Sequence, residues 1–163
     1  FFDIALQITI RLKGGYDIFM VSIRPVTEVT ESLTDAYRVL IPQLSSSSNP
    51  PTGEALQRII ESDSAQILIA ENENGEILGT MTIIIFQIPT GIRAWIEDVV
   101  VESSVRGKCI GKKLNLAALE LAKQAGAKTV DLTSRPARPE PNQLYRSIGF
   151  AERETNVYRF SFE

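Results

Sequence analysis

The sequence predicts a mixed α/β domain, and three features support this class. Its patterns follow the order strand, two helices, antiparallel strands, helix, strand, helix and two strands, which is not a repeating βαβ series. A chain of 163 residues with 44% apolar and 23% charged residues is long enough to bury the core of one ordinary globular domain. In its second half, an apolar strand pattern leads through a short basic turn into a long amphipathic helix.

The domain is expected to begin at Met20. Residues 1–19 are mixed in character and lack the long apolar core of a signal peptide, so we interpret them as an N-terminal extension of uncertain origin. Within this extension, residues 4–10 alternate in part, which is compatible with an added strand that ends at a glycine turn. Residues 20–163 then form the domain.

Turns and helix caps set the boundaries of the predicted elements. A first helix over residues 28–40 is expected to stop before Pro42, and Thr52 is expected to cap the second helix. A third helix over residues 110–125 is expected to end at Gly126. Strands are predicted over residues 22–24, 65–70, 77–88, 93–101, 129–133, 151–154 and 157–162, and a fourth helix over residues 142–150.

Composition excludes several classes of function. A net charge of −3 gives no reason to expect a nucleic acid partner, and no apolar run approaches the ~20 residues that span a bilayer. The single cysteine rules out an internal disulfide and fits a reducing compartment, which predicts a cytoplasmic protein. The absence of histidine excludes Ser-His-Asp and Cys-His catalysis and removes the commonest zinc ligand, so no metal is expected. Acid–base chemistry must come from carboxylates, tyrosine, lysine or cysteine.

The segment from Ile96 to Leu114 predicts an anion site. A strand that feeds a tight turn at a helix N-terminus gathers unpaired backbone N–H groups at the positive end of the helix dipole. Four basic residues add positive charge to this stretch: Arg106, Lys108, Lys112 and Lys113. The alternative interpretation of the turn is a capped, solvated helix start.

Two motifs then give a family resemblance. From Met20 to Glu163 the chain resembles the GCN5-related N-acetyltransferases (GNAT), both in these motifs and in the order of its elements. The family's signature Gln/Arg-x-x-Gly-x-Gly/Ala is matched by residues 106–111, except that Cys109 replaces the middle glycine. The family's later Asn-x-x-Leu-Tyr-x-x-x-Gly-Phe is matched by Asn142, Leu144, Tyr145, Gly149 and Phe150.

The resemblance implies a particular sheet. A GNAT-like domain has a splayed, mostly antiparallel sheet of six to seven strands flanked by about four helices. The strands over residues 93–101 and 129–133 should run parallel, joined by the helix over residues 110–125. Between them the sheet should open into a wedge for the pantetheine arm of a coenzyme.

The same resemblance implies acetyl-CoA as cosubstrate. Backbone N–H groups of residues 106–111 would hold its pyrophosphate, where glycine permits close approach. If the φ of Cys109 is positive, cysteine in place of glycine would destabilise the turn by roughly 1–2 kcal/mol. Asn142 would hydrogen-bond the pantetheine or phosphate arm, unless it is only a helix cap. The cofactor-binding residues predicted in this way are Val99, Val100, Val101, Arg106, Gly107, Lys108, Cys109, Ile110, Gly111, Lys112, Asn142 and Tyr145.

The chemistry needs a base and an acid. An alkyl amine has a pKa near ~10.4 and arrives protonated, so a base must take its proton, and Glu97 is preferred over Asp98. Simple alternation would place Trp95, Glu97, Val99 and Val101 on one face of an apolar strand. A carboxylate buried there is costly unless it is functional or forms an ion pair, for example with Arg93. An N–H from the end of this strand could hold the oxyanion.

Tyr145 matches the family's general acid, which protonates the leaving thiolate; its alternative role is a core aromatic residue. The resemblance therefore implies an N-acetyltransferase that transfers an acetyl group from acetyl-CoA to a primary amine of a small molecule or peptide by direct attack. A catalytically silent acyl-CoA sensor of the same fold is the alternative, and a homodimer is left open.

An unrelated nucleotide-binding protein is disfavoured because no Gly-Lys-Ser/Thr follows the turn. A nucleophilic role for Cys109 is disfavoured because no histidine could activate it.

Overall fold

A computed structural model gives the structure of the protein and describes residues 20–162. The extension predicted over residues 1–19, with its strand and glycine turn, lies outside the described residues. The chain divides into two compact units, one up to Thr133 and one from Ser134 onward.

The first unit contains a five-stranded sheet. Its strand order is β1-β2-β3-β4-β5, and every neighbouring pair is antiparallel except β4–β5, which is parallel. The predicted parallel pair, joined by a helix, is confirmed. The strands are β1 (Val21–Pro25), β2 (Ala65–Asn72), β3 (Ile77–Ile88), β4 (Gly91–Val101) and β5 (Val130–Leu132).

Two capped helices follow β1. Helix α1 (Glu31–Leu44) begins at Thr30, whose hydroxyl accepts from Leu33 N, and helix α2 (Gly53–Ile60) begins at the predicted cap Thr52. The prediction that α1 stops before Pro42 is wrong, because Pro42 lies inside its last turn. A proline's φ is compatible with a helix, and its missing N–H removes a single hydrogen bond from the last turn of α1.

The helices cover both faces of the sheet. Thr80 of β3 hydrogen-bonds the hydroxyl of Tyr37 on α1, whereas a Cβ added at the preceding Gly79 would lie 3.4 Å from Leu114 of the third helix. Adjacent strand residues point to opposite faces, so α1 and the third helix lie on opposite sides. The apolar cluster beneath α1 and α2 consists of Val26, Leu33, Tyr37, Ile41, Leu56, Ile67 and Ile69.

Two further helices follow β4. Helix α3 (Ile110–Gln124) begins at the predicted residue and ends as predicted, with Ala125 as its cap and Gly126 at φ 77°. Helix α4 (Pro139–Ser147) belongs to the second unit and begins before the predicted residue 142. In the described part of the chain, no helix combines the length and the apolar character needed to cross a membrane.

The prediction of six or seven strands is wrong for the described residues, which form five. Residues 151–154 and 157–162 form no strand in the described structure, and all of them are exposed. Alternating apolar side chains favour a strand, but a strand also needs a neighbour that accepts its main-chain bonds. Four exposed apolar side chains mark this segment: Val157, Tyr158, Phe160 and Phe162.

Candidate active site

The sheet splays between its two parallel strands. Strand β4 pairs with β5 only from Ala94, opposite Val130, to Ile96, opposite Leu132. Beyond this point β4 continues to Val101 along β3, while β5 has ended. The predicted opening between these strands is therefore confirmed, and it begins beside Glu97.

A β-bulge lies at the start of this opening. Thr80 pairs with Val100 and Thr82 with Glu97, so Asp98 and Val99 together face the one residue between the two threonines. Asp98 adopts φ 54°, a left-handed conformation that aspartate tolerates better than most residues. The extra residue reverses the side-chain alternation along β4.

This reversal corrects the predicted faces of β4. Glu97 lies on the α1 face with Thr82, whereas Val101 lies on the α3 face, where its Cγ2 would be 3.3 Å from a Cβ added at Gly79. The prediction that Trp95, Glu97, Val99 and Val101 share one face is therefore wrong beyond Glu97. Simple alternation fails because the bulge adds a residue to β4 alone.

The bulge also turns main-chain groups toward the opening. The N–H of Glu102 donates to Leu78 O of β3. Residues two apart on a strand direct their main-chain N–H and C=O groups toward the same neighbouring strand. The main chain of Val100 thus faces β3, and that of Val99 and Val101 faces the side where β5 has ended. Of these three predicted residues, Val99 and Val101 can offer an N–H to a ligand in the opening.

The turn after β4 leaves a row of amides unpaired. A 3₁₀ turn (Ser103–Val105) leads to Gly107 at φ 80° and to Cys109 at φ 58°, and the first helical bond runs from Lys113 N to Cys109 O at 3.0 Å. Such alternation of right- and left-handed residues makes a concave anion-binding nest. Within residues 20–162, five N–H groups of this turn have no acceptor: those of Gly107, Cys109, Ile110, Gly111 and Lys112.

The guanidinium of Arg106 is used to hold this turn in place. Its Nε donates to Val101 O at 3.1 Å, and its Nη2 lies 3.5 Å from Gln43 Oε1. The same oxygen of Gln43 accepts from Ser103 N at 2.8 Å. Gln43, at the end of α1, thus ties that helix to the turn. The sequence contains no local signal for this contact, because the partners lie 60 positions apart.

Cys109 is the left-handed N-cap of α3, and it gives this helix no side-chain capping bond. A left-handed angle is costly for residues with a Cβ, and the positive φ on which the expected strain depends is present at this position. The thiol is exposed. The backbone, not the side chain, therefore determines the form of the turn.

Replacing Cys109 by glycine should stabilise the protein. Glycine adopts this φ freely, so Cys109→Gly should raise the free energy of unfolding by roughly 1 kcal/mol and Tm by about 2–4 °C. Differential scanning calorimetry measures this change. Cys109→Ala is the matched control, since it removes the thiol but keeps the Cβ. An equal rise in both variants would mean that the thiol, rather than the backbone angle, is destabilising.

Lys113 is buried on α3. Its side chain is only 3% exposed, and its Nζ has no hydrogen-bond partner among residues 20–162. Burial lowers the pKa of this amine below its ordinary value of 10.5, and the nearby thiol of Cys109 opposes this only in part. The folded state therefore disfavours the charged form of Lys113.

Replacing Lys113 by methionine should raise Tm at neutral pH. Methionine has a volume similar to that of lysine but carries no charge. Removing the buried ammonium, which has no partner among the described residues, should raise the free energy of unfolding by roughly 1–3 kcal/mol. The pKa of Lys113 is lower in the folded protein than in the unfolded chain. The stability lost by burying its charge is therefore lost in full below the folded-state pKa, and none is lost above 10.5, the ordinary pKa. The gain in Tm should thus shrink as pH rises toward this value. The exposed Lys112→Met serves as control, and an equal gain there would contradict the account.

Both candidate bases on β4 are exposed, so the predicted burial of Glu97 is wrong. Trp95 Nε1 donates to Glu97 Oε1 at 2.6 Å. Arg93, the predicted ion-pair partner, instead donates from Nη1 to Thr129 Oγ1 at 2.8 Å. The carboxylate of Glu97 thus stands at the start of the opening with one oxygen engaged by an indole.

The second unit carries the later motif on α4. Asn142 lies within the helix, so it is not the helix cap, and its Nδ2 donates to Arg135 O at 3.0 Å. The ring of Tyr145 packs edge-on against Phe150, with centroids 5.9 Å apart. Burial raises the pKa of Tyr145, with an opposing influence from Arg138. No residue in the described part of the chain hydrogen-bonds the Tyr145 hydroxyl, which is therefore protonated and available at neutral pH.

Comparison with known proteins identifies the family. The sequence model of the acetyltransferase (GNAT) family matches residues 27–150, which include the bulge, the turn and the later motif. The chain therefore belongs to this family, as the resemblance predicted. No curated protein sequence matches the chain.

Solved structures share the fold. An aminoglycoside acetyltransferase from an uncultured soil metagenomic sample is 20% identical, with a TM-score of 0.77 over 88% of this chain and 97% of that one. A transcriptional regulator from Bacillus halodurans C-125 is 26% identical, with a TM-score of 0.73 over 87% and 99%. The aminoglycoside N-acetyltransferase AAC(6')-Iy, solved with CoA, is 18% identical, with a TM-score of 0.70 over 88% and 95%. At these identities, the likeness to the two aminoglycoside enzymes concerns the fold alone.

Proposed function

We propose that this protein transfers an acetyl group from acetyl-CoA to a primary amine of a small molecule or peptide by direct attack. One observation carries the proposal: the opening where β5 ends lies directly before a turn with five N–H groups that have no acceptor within residues 20–162. An extended ligand with a phosphate-bearing end and an acyl end fits such an arrangement.

The turn suits the pyrophosphate of the coenzyme. The amides from Cys109 to Lys112, which have no acceptor in the described part of the chain, lie at the positive end of α3, where backbone N–H groups and the helix dipole both favour an anion. A Cβ added at Gly107 would meet no atom within 4 Å, so the turn is open on that side. Cys109 retains its N–H and can therefore bind an anion as the family's glycine does.

The opening suits the acyl end. The main-chain N–H groups of Val99 and Val101 face it, and one of them would stabilise the oxyanion that forms when the amine attacks the carbonyl. Glu97, at the start of the opening, would take the proton of the amine directly or through water. Asp98, on the bulge, is the second candidate base.

Tyr145 is proposed as the general acid because it stands at the tyrosine of the family's later motif. Two features of Tyr145 support this role: its hydroxyl has no hydrogen-bond partner among residues 20–162, and its raised pKa keeps the group protonated until a strongly basic thiolate forms. Asn142 is proposed to act in coenzyme binding. Its remaining amide hydrogen and its carbonyl are available, because only one donor is engaged by Arg135.

A small-molecule acceptor is supported by the structural relatives. Two of them are aminoglycoside acetyltransferases, and aminoglycosides carry several primary amines. The exposed carboxylates of Glu97 and Asp98 would attract a cationic amine to the opening. A panel of amines, amino acids and aminoglycosides, screened for release of CoA thiol, would identify the acceptor class.

Glu97→Gln should lower kcat at neutral pH by roughly 10²–10⁴. The loss should shrink as pH rises toward the pKa of the amine, near ~10.4, because a larger share of the acceptor then arrives deprotonated. Steady-state rates from pH 6 to about 10 measure this profile. Asp98→Asn is the matched control. A pH-independent loss in Glu97→Gln, or the predicted profile in Asp98→Asn instead, would remove Glu97 from the role of base.

A further inference from the structure

Trp95 contacts the proposed base directly. It lies two residues before Glu97 on β4, and both side chains lie on the α1 face, opposite Ile84 and Thr82 of β3. The indole Nε1 donates to Glu97 Oε1 at 2.6 Å. Hydrogen bonds to a charged acceptor are short and roughly twice as strong as neutral ones, so this contact restrains an otherwise exposed side chain.

The surroundings of Trp95 suit it to this task. Its backbone is paired on both sides, with Ile84 of β3 and with Asp131 of β5. Glu97 is paired with Thr82 of β3, but the pairing of β4 with β5 ends at the residue before it. The indole therefore reaches from the last paired stretch of the sheet to the first carboxylate of the opening. An indole N–H only donates and does not titrate at neutral pH, so it can orient a carboxylate without competing for the proton.

We propose that Trp95 is a positioning residue for acetyl transfer. Its N–H holds Oε1 of Glu97, which directs Oε2 toward the amine of the acceptor. The proposal rests on the proposed function, since it assigns Glu97 the role of base. Misplacing a catalytic group by about 1 Å can cost up to ~10²-fold in rate, so one such bond is enough to matter.

A double-mutant cycle tests this role. Trp95→Phe keeps an aromatic ring on β4 but removes the donor, and should lower kcat about 10-fold with the KM for acetyl-CoA unchanged. In a Glu97→Gln background the same change should lower kcat less than about 2-fold, because no base remains to be oriented. Ile84→Val is the control: it trims the side chain opposite Trp95 but leaves the N–H in place, so kcat should not change.

Three results would overturn the role of Trp95. They are full turnover in Trp95→Phe, an equal loss in both backgrounds, and a loss in Ile84→Val as large as that in Trp95→Phe. Each of them leaves the proposed function standing, because wild-type turnover is measured in the same experiment. A wild-type protein that acetylates no amine would overturn the proposed function itself, together with the role of Trp95.

Discussion

Replacing Tyr145 by phenylalanine is expected to lower kcat by roughly 10²–10⁴ while leaving the affinity for acetyl-CoA nearly unchanged. The hydroxyl is needed only when the thiolate departs, and no residue in the described part of the chain hydrogen-bonds it. The ring, by contrast, supplies the edge-on contact with Phe150 in both proteins. Steady-state kinetics and a thermal-shift titration with acetyl-CoA separate the two quantities.

Tyr158→Phe is the matched control for this prediction. It removes a hydroxyl from an exposed tyrosine of the C-terminal segment, where no role in catalysis is proposed. Turnover like that of the wild type in Tyr145→Phe would mean that the thiolate leaves unassisted. A loss of acetyl-CoA binding without a specific loss of kcat would make Tyr145 a structural residue.

The second large effect is expected from Gly111→Val. Gly111 is the second residue of α3, and its N–H is one of the five amides of the turn for which the described residues supply no acceptor. A branched side chain at this position should block the approach of the pyrophosphate. At about 100 times Kd, acetyl-CoA should stabilise the wild type by roughly 2.7 kcal/mol, or about 5–10 °C in Tm. The Gly111→Val variant should show no shift.

Two controls make this result interpretable. Valine is tolerated in a helix at a cost well below 1 kcal/mol relative to alanine, so the unliganded variant should unfold within a few degrees of the wild type. Gly111→Ala should retain part of the shift, because a single methyl group leaves more room. An undiminished shift in Gly111→Val would place the coenzyme elsewhere on the protein.

Local signals in the sequence are enough to predict α3 and β3. The predicted bounds of β3 agree with the structure because Gly75 and Pro89 interrupt an apolar, β-branched run on both sides. Helix α3 begins and ends at the predicted places because its apolar stripe lies between Cys109 and Gly126, both with positive φ. The turn that carries the proposed pyrophosphate site is thus predictable from residues close together in the chain.

The bulge on β4 could not be predicted in this way. Asp98 and Val99 continue an ordinary strand pattern, and the extra residue is defined only by the pairing with β3. The direction of Val101 and the contact of Arg106 with Gln43 likewise depend on partners distant in the sequence. The absence of a strand over residues 151–162 of the described structure has the same cause, since an alternating pattern does not specify a neighbouring strand.

One measurement tests the central claim most directly: a reaction with acetyl-CoA labelled in the acetyl group, followed by mass spectrometry of the acceptor and of the intact protein. Direct attack predicts that the label appears on the acceptor amine, one acetyl group per CoA released, and that the protein stays unlabelled throughout. Label on Cys109 that passes to the amine would contradict direct attack. Binding of acetyl-CoA with no label on any amine of the panel would contradict acetyl transfer and leave a catalytically silent acyl-CoA sensor.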